Sequence, residues 1–446
     1  MSRNLQVVLL VLLVASGSLL AQTDRATLRG TVSDPTGLPV PGARLVITEL
    51  GTNIEARRLT SDDNGNYEIP ALKPGQYRLV VDKAGFRSFV ADSVLLDAGQ
   101  VRRIDMSLQV GATAETITVQ AGAALIQTET GAISGELDKK KFLDRPLVDV
   151  YPSPLALMTT MPGIQGNGWN LVMSGITDRQ KQTWAMDGVP NDTAGDQNDN
   201  PAFFETVQVN QVGSGSDSAR ATSFNMISKR GSNDWHASAY YKHENAGLNA
   251  REFFTPRRVP YILHEFDVDF TGPIIKDRTF FFVAWFHQAI PLGSWTNRTT
   301  ATLQARGGDF NQYSAAIRDP FNNNQPFPGK VIPANRFSDV SKKVMDAYIP
   351  KPNQGDANTM TNNYGWYFPY NSDLYKGDWP MFRVDHKLSD KNQVYVRWMA
   401  RKTPYIRPGS GFEWATYTQK RDHRQMVISD THVFSPTVVN VFTFGR

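Results

Sequence analysis

The chain has 446 residues, with 47 basic and 43 acidic side chains, a net charge of +4 and no cysteine. So small a net charge does not point to nucleic acid, and no basic run with interleaved aromatics is present. The absence of cysteine excludes disulfides, iron–sulfur clusters and cysteine-ligated zinc, so stability must come from cores and sheets, for which the length suffices several times over.

Arg3, an apolar run from Leu5 to Ala15 and small residues up to Ala21-Gln22 read as a secretory signal peptide over residues 1–21. Cleavage is expected after Ala21, with Gly17 as the second choice. No later run is long and apolar enough for a transmembrane helix.

Residues 24–109 alternate in short stretches, predicting strands near 26–32, 43–48, 56–60, 67–69, 76–82, 86–90 and 101–108. Turn chemistry separates them at Asp34-Pro35-Thr36-Gly37, Asp62-Asp63-Asn64-Gly65 and Lys73-Pro74-Gly75. Such spacing predicts a small β-sandwich. The order Gly30-Thr31-Val32, Pro41-Gly42-Ala43, Asp63-Asn64-Gly65-Asn66-Tyr67 and Leu72-Lys73-Pro74-Gly75-Gln76-Tyr77 resembles the carboxypeptidase regulatory-like domain, a transthyretin-like β-sandwich, and implies no peptidase. Asp62–Asn66 lacks the spaced ligands of a calcium loop and reads as a plain turn.

Residues 112–234 are richer in small and polar residues, and short helices and Gly-rich turns are expected, an α+β unit. Ser153-Pro154 suits a helix start and Pro162-Gly163 its end.

From 235 to 446 the period is two. Phe266, Val268 and Phe270 alternate with Glu265, Asp267 and Asp269; Phe382 and Val384 with Arg383 and Asp385; Val394, Val396 and Trp398 with Tyr395, Arg397 and Met399. Short turns near 272–277, 389–391 and 434–436 alternate with long loops over 246–261, 291–377 and 403–424. That sorting, with an aromatic face and a charged face, predicts an antiparallel transmembrane β-barrel of the bacterial outer membrane. About seven strands are expected where a plugged barrel needs about 22, and the chain stops at Arg446 inside an apparent strand, so an incomplete barrel from a longer chain is expected.

Trp184-Ala185-Met186-Asp187-Gly188-Val189-Pro190-Asn191, Phe204-Glu205-Thr206-Val207-Gln208-Val209 and Ile227-Ser228-Lys229-Arg230-Gly231-Ser232-Asn233 resemble the plug domain of TonB-dependent outer-membrane receptors. Phe270-Thr271-Gly272-Pro273-Ile274-Ile275-Lys276-Asp277-Arg278-Thr279-Phe280-Phe281-Phe282 is similar to the first barrel hairpin of that family's Oar-like branch. Pro326-Phe327-Pro328-Gly329, Ile332-Pro333-Ala334-Asn335-Arg336-Phe337 and Phe434-Ser435-Pro436-Thr437-Val438-Val439-Asn440 continue the likeness. Ala219-Arg220-Ala221-Thr222-Ser223-Phe224-Asn225 departs from it, lacking the usual glycine pair. The resemblance implies a plug over 112–234 inside a barrel over 235–446, a TonB-type energy-coupling protein as partner, and outer-membrane lipid around the barrel.

Glu115, Thr116, Ile117, Thr118 and Val119 resemble the TonB box, an extended β-branched segment able to add to a partner's sheet edge; the alternative is an ordinary strand of the sandwich or plug. Asp192, Asp196 and Asp199 are the best metal candidates, since carboxylates at close spacing suit calcium, although ordinary loop chemistry is the favoured reading. The aromatic loop Tyr364–Tyr370 could stack on a sugar or pack on its neighbours. None of the seven histidines has metalloprotease spacing, and no nucleophile elbow or phosphate loop is present. The expectation is no enzyme and no cofactor: a receptor or transporter for an unidentified extracellular ligand, with a non-transporting adhesin or matrix protein as alternative.

Overall fold

A computed structural model of the chain describes residues 25–111 except 98, then 116–120, 133–138, 158–166, 172–175, 182–190, 203–212 and 222–446 except 252, 254–257, 259, 357–358, 372–375, 409–415 and 436–437.

The N-terminal strands are β1 (Ala26–Ser33), β2 (Arg44–Glu49), β3 (Ile54–Thr60), β4 (Asn66–Leu72), β5 (Gly75–Asp82), β6 (Ser88–Leu96) and the short β7 (Val101–Arg103) and β8 (Met106–Ser107). Alternation drives them: in β1, Ala26, Leu28, Gly30 and Val32 are buried and the residues alternating with them half-buried. One sheet runs β4-β1-β7 with β8 also on β1, and a second runs β3-β2-β5-β6 and ends on β9 (Thr116–Gln120). Leu28, Leu45, Ile47, Ile69, Leu79 and Leu96 fill the space between the sheets, each contributing about 1.5–3 kcal/mol by leaving water. Gly30 lets β1 pass under the next segment, where an added Cβ would lie 1.9 Å from the Ile104 carbonyl oxygen. The Asp62 turn is a plain turn: its Oδ1 accepts from the backbone N–H groups of Asn64 and Asn66.

The middle unit holds β10 (Ile133–Asp138), β11 (Ile164–Gln165), β12 (Val172–Met173), β13 (Gln182–Met186), β14 (Val189–Pro190), β15 (Phe204–Val212) and β16 (Thr222–Ser228). Its main sheet has the order β10-β15-β16-β13-β14, and β16 is buried at every position. The expected helix start at Ser153-Pro154 lies outside the described residues.

The C-terminal strands are β17 (His236–Asn245), β18 (Ile262–Ile275), β19 (Thr279–Ala289), β20 (Leu292–Arg298), β21 (Arg318–Asp319), β22 (Gln325–Pro326), β23 (Tyr364–Asn371), β24 (Lys376–Ser389), β25 (Asn392–Pro408), β26 (Thr416–Ser435) and β27 (Val438–Gly445). The large sheet is β17-β18-β19-β24-β25-β26-β27, seven strands each antiparallel to the next, with β17 and β27 as its open edges. One end carries the tight turns after β18, β24 and β26, and the other the long connections.

Two expectations about those connections are corrected. The loop expected over 403–424 is largely strand, because β25 and β26 stay paired out to Pro408↔Thr416. Pro404 and Pro408 read as breakers, but pairing with β24 ends at Lys402, so beyond it β25 is an edge strand and tolerates proline. Residues 364–370 are likewise no loop: they lie in β23, paired with β20. This hairpin carries a folded insertion with helices α1 (Leu303–Arg306) and α2 (Asp339–Tyr348), the second capped by Ser338.

The two faces of the large sheet differ as alternation requires. Glu265, Asp267 and Asp269 of β18 are buried on one face, while Phe266, Phe270, Val283, Trp285 and Phe382 are exposed on the other. An apolar face of that extent needs an apolar solvent. The covered face is not uniformly charged as expected: Phe282, Ala284, Phe286, Trp379, Met381 and Met399 also point inward. They form one buried cluster with Met158, Trp184, Met186, Phe203, Phe224 and Met226, so the middle unit sits on this inner face.

Candidate functional site

The three units meet in a run of buried charges. β13 ends at Met186, and the turn to β14 forces Asp187 into the left-handed region at φ 52°. Its carboxylate accepts from the Ser228 N–H at 2.8 Å and the Ser228 hydroxyl at 2.7 Å, tying β13 to β16. The remaining demand is met from the large sheet. Arg397 Nε lies 2.7 Å from Asp187 Oδ2, a contact of opposite charges between two wholly buried side chains. Arg397 Nη2 donates to Gln425 at 2.9 Å, and Nη1 lies against the sulfurs of Met186 and Met399. Arg383, two strand positions from Asp385, donates to both of its oxygens at 2.7 and 2.9 Å and to the Ser228 hydroxyl. Its guanidinium stacks 4.0 Å above the Tyr395 ring.

The run continues into the N-terminal sandwich. Lys73, in the turn between β4 and β5, reaches Asp385 Oδ1 at 3.1 Å. Arg230, just after β16, lies 2.6 Å from Glu49 Oε1 and donates to the Pro74 carbonyl at 2.6 Å. Gly75, at φ +148°, makes room for it, since a Cβ there would lie 2.9 Å from Arg230 Nη2. Burial works against the Arg230 charge, but Glu49 and then Glu205 hold its pKa above the ordinary value. Burial pushes the Lys73 ammonium below its usual value, with Asp385 opposing. Burial also raises the Tyr77 phenol, whose hydroxyl donates to the Lys73 carbonyl at 2.7 Å.

More contacts lie at the tight-turn end. Asn233 donates to the Thr52 carbonyl and to Asp277, Arg57 donates to the Asp390 carbonyl, and Arg25 to the Thr431 hydroxyl. Two cavities mark the seam, the larger about 710 Å³, lined among others by Glu49, Thr52, Gly75, Glu205, Arg230 and His236.

Of the residues singled out in sequence, Thr116, Ile117, Thr118 and Val119 lie in β9, which pairs in parallel with β6 from Ser88↔Thr116 to Asp92↔Gln120; Glu115 lies outside the described residues. So do Asp192, Asp196 and Asp199. Among the described residues, no group of three or more His, Asp or Glu is arranged to hold a metal. The histidines are used locally: His386 bonds Thr279, His287 bonds Asp378, and His264 bonds the Tyr241 hydroxyl. Asp187, Arg230, Arg383 and Arg397 were not singled out in sequence as a site. The only signal was an Asp-Gly pair after a strand, which reads as a turn, and charges at inward strand positions.

Residues 227–446 match the outer membrane beta barrel domain family, and residues 27–109 the carboxypeptidase regulatory-like domain. The chain is 26% identical over 287 residues to the TonB-dependent transporter Oar of Myxococcus xanthus, an alignment covering 59% of this chain and 27% of that protein. It thus spans about a quarter of that relative's length. Among solved structures, the siderophore receptor PirA of Pseudomonas aeruginosa aligns at 11% identity and TM-score 0.39, over 70% of this chain and 39% of the other. A mutant of the ferric enterobactin receptor PfeA of Pseudomonas aeruginosa aligns at 10% identity and TM-score 0.41, over 70% and 40%.

Proposed function

For a chain that carries an outer-membrane β-barrel domain behind a carboxypeptidase regulatory-like domain and is a homologue of the TonB-dependent transporter Oar, we propose the role of a TonB-dependent receptor that takes up an extracellular ligand by energy-coupled movement of a plug. The plug is the middle unit. The observation that carries the reading is its seat on the inner face of the barrel sheet, keyed by Asp187 to Arg397 and Arg383. A unit held through one buried charge cluster has a defined resting position and a defined set of contacts to break. The coupling handle is the segment Glu115, Thr116, Ile117, Thr118 and Val119. Its β-branched residues favour an extended backbone that can pair with a strand of the periplasmic coupling protein. The ligand meets the long-connection end of the barrel, where the β20–β23 hairpin and its insertion lie.

Calorimetry tests this reading. The periplasmic domain of the coupling protein is titrated into the solubilised full chain and into the same chain lacking residues 115–119. Binding to the first and none to the second is expected. Equal affinities would remove the handle assignment.

A further inference from the structure

We infer that the N-terminal sandwich is a latched cover on the periplasmic mouth of the barrel, and that it is the first body moved when the coupling handle is pulled. The second half of this inference rests on the handle assignment above; the first half does not.

The sandwich meets the large sheet at the end with the tight turns, which in bacterial barrels faces the periplasm. Its contacts there include Lys73 to Asp385, Glu49 and the Pro74 carbonyl to Arg230, the Thr52 carbonyl to Asn233, Arg57 to the Asp390 carbonyl and Arg25 to the Thr431 hydroxyl. These are buried ion pairs and hydrogen bonds in a seam that also contains a cavity of about 710 Å³. The two large apolar clusters stay apart: one lies wholly within residues 26–108, and the other joins the plug to the barrel sheet without any sandwich residue. Undocking the sandwich therefore breaks ion pairs and hydrogen bonds but opens neither core. Burying these charges costs solvation that undocking returns, which offsets the broken ion pairs, so the contact can open and reclose while each unit stays folded.

The position of the handle completes the inference. β9 is the outermost strand of the sandwich's five-stranded sheet, in parallel register on β6. A partner that grips β9 thus grips the sandwich. Load along a strand is shared by all its backbone hydrogen bonds, whereas the latch is a few contacts made by side chains. The latch yields first, and the plug is reached only after the cover has swung away.

The test uses the absence of native cysteine. Thr52→Cys puts a single thiol in the latch, at a position buried in the docked state, and its rate of alkylation by a small maleimide is followed in intact cells. Slow labelling is expected in de-energised cells and faster labelling in energised ones, with the difference abolished by deletion of residues 115–119. Adding Glu49→Gln and Lys73→Met should speed labelling roughly ten-fold without energy, because both ion pairs of the latch lose a charge. If these substitutions leave labelling unchanged, the sandwich is not latched there. If energisation has no effect while coupling-protein binding still requires residues 115–119, the handle stands and the cover is overturned. If binding does not require those residues, the handle fails, and the substitution arm still decides the latch. Far-UV circular dichroism of each variant separates opening of the latch from loss of fold.

Discussion

Replacing Asp187 by alanine should release the middle unit from the large sheet. The side chain is fully buried, and its removal leaves Arg397 with no carboxylate partner among its described contacts, only an amide oxygen, a carbonyl and two sulfurs. Arg383 suffers less, since it keeps both bonds to Asp385. The Ser228 N–H and hydroxyl also lose their acceptor. Breaking one side of a buried ion pair costs about 3–5 kcal/mol, which at about 1.4 kcal/mol per decade raises the detached population roughly 10²- to 10⁴-fold. The assay is urea unfolding of the chain in outer-membrane vesicles, followed by the fluorescence of Trp184, which is buried and stacked on Phe224 at 4.1 Å. The control is Asp187→Leu combined with Arg397→Met, which removes both charges and should recover most of the loss, because no orphan charge remains in the seam. A loss below about 1 kcal/mol for the alanine variant would refute the argument. A double variant as damaged as the single one would assign the effect to packing instead of charge.

The sandwich gives two further tests, made on residues 25–111 expressed alone. Gly30→Ala forces a methyl against the Ile104 carbonyl and should destabilise by about 1–3 kcal/mol in a thermal melt, so an unchanged melting temperature would show that the strands yield freely. The carboxyls of Asp34, Asp62 and Asp105 titrate below their ordinary value of 3.8: Asp34 through the Thr36 hydroxyl, Asp62 through the Asn66 N–H, and Asp105 because Arg103 and Thr31 outweigh its burial. Folded values below unfolded ones mean that their stabilisation is complete above that range and is lost as pH falls through the depressed values. Melting temperature should therefore drop below about pH 4, and Asp62→Asn should flatten that drop; a profile without such a fall would contradict the assignment. On the barrel, Val283→Arg puts a charge on the exposed apolar face and should cost up to about 2–4 kcal/mol at mid-membrane depth, read as loss of the protein from the outer-membrane fraction. Unchanged fractionation would mean that this face does not meet lipid.

Much of the architecture was legible because a period of two is a local signal. Seven strands after the plug, their short turns and their apolar outer face all follow from alternation within a few residues. The errors arose where a local signal met a non-local fact. Pro404 and Pro408 look like the start of a loop, yet they sit in a strand whose neighbour has ended, and that ending is invisible from residues 403–424. Tyr364–Tyr370 looked like a loop because its pairing partner lies some seventy residues earlier, in β20. The charge cluster was harder still. Asp187, Arg383 and Arg397 are separated by about two hundred residues, and nothing within either segment says which inward arginine will meet which turn. A polar residue at an inward strand position reads as a wetted lumen, and only the middle unit seated on that face turns it into a buried partner.

The composition of the seam between the middle unit and the large sheet bears on how the proposed plug could move at all. Met158, Met173, Met186, Met226, Met381 and Met399 are all buried there, half of the chain's 12 methionines. Methionine is unbranched and adapts its shape to irregular gaps, so a surface made of it adheres without demanding one exact fit. A seam of leucine and isoleucine would interlock at higher specificity and resist sliding. The methionines fill gaps among Trp184, Phe203, Phe204, Phe224, Phe282, Phe286 and Trp379, and the charge cluster adds direction to that contact. Arg397 meets Asp187 with its guanidinium beside the sulfurs of Met186 and Met399, so this directional contact, like the neighbouring Arg383 to Ser228 bond, sits among pliable side chains. In the proposed movement, once those polar contacts are pulled apart, only apolar contacts hold the two units together. On return, the unpaired charges favour only the original register. Adhesion and position are thus carried by different residues, and a force need defeat only the few that carry position.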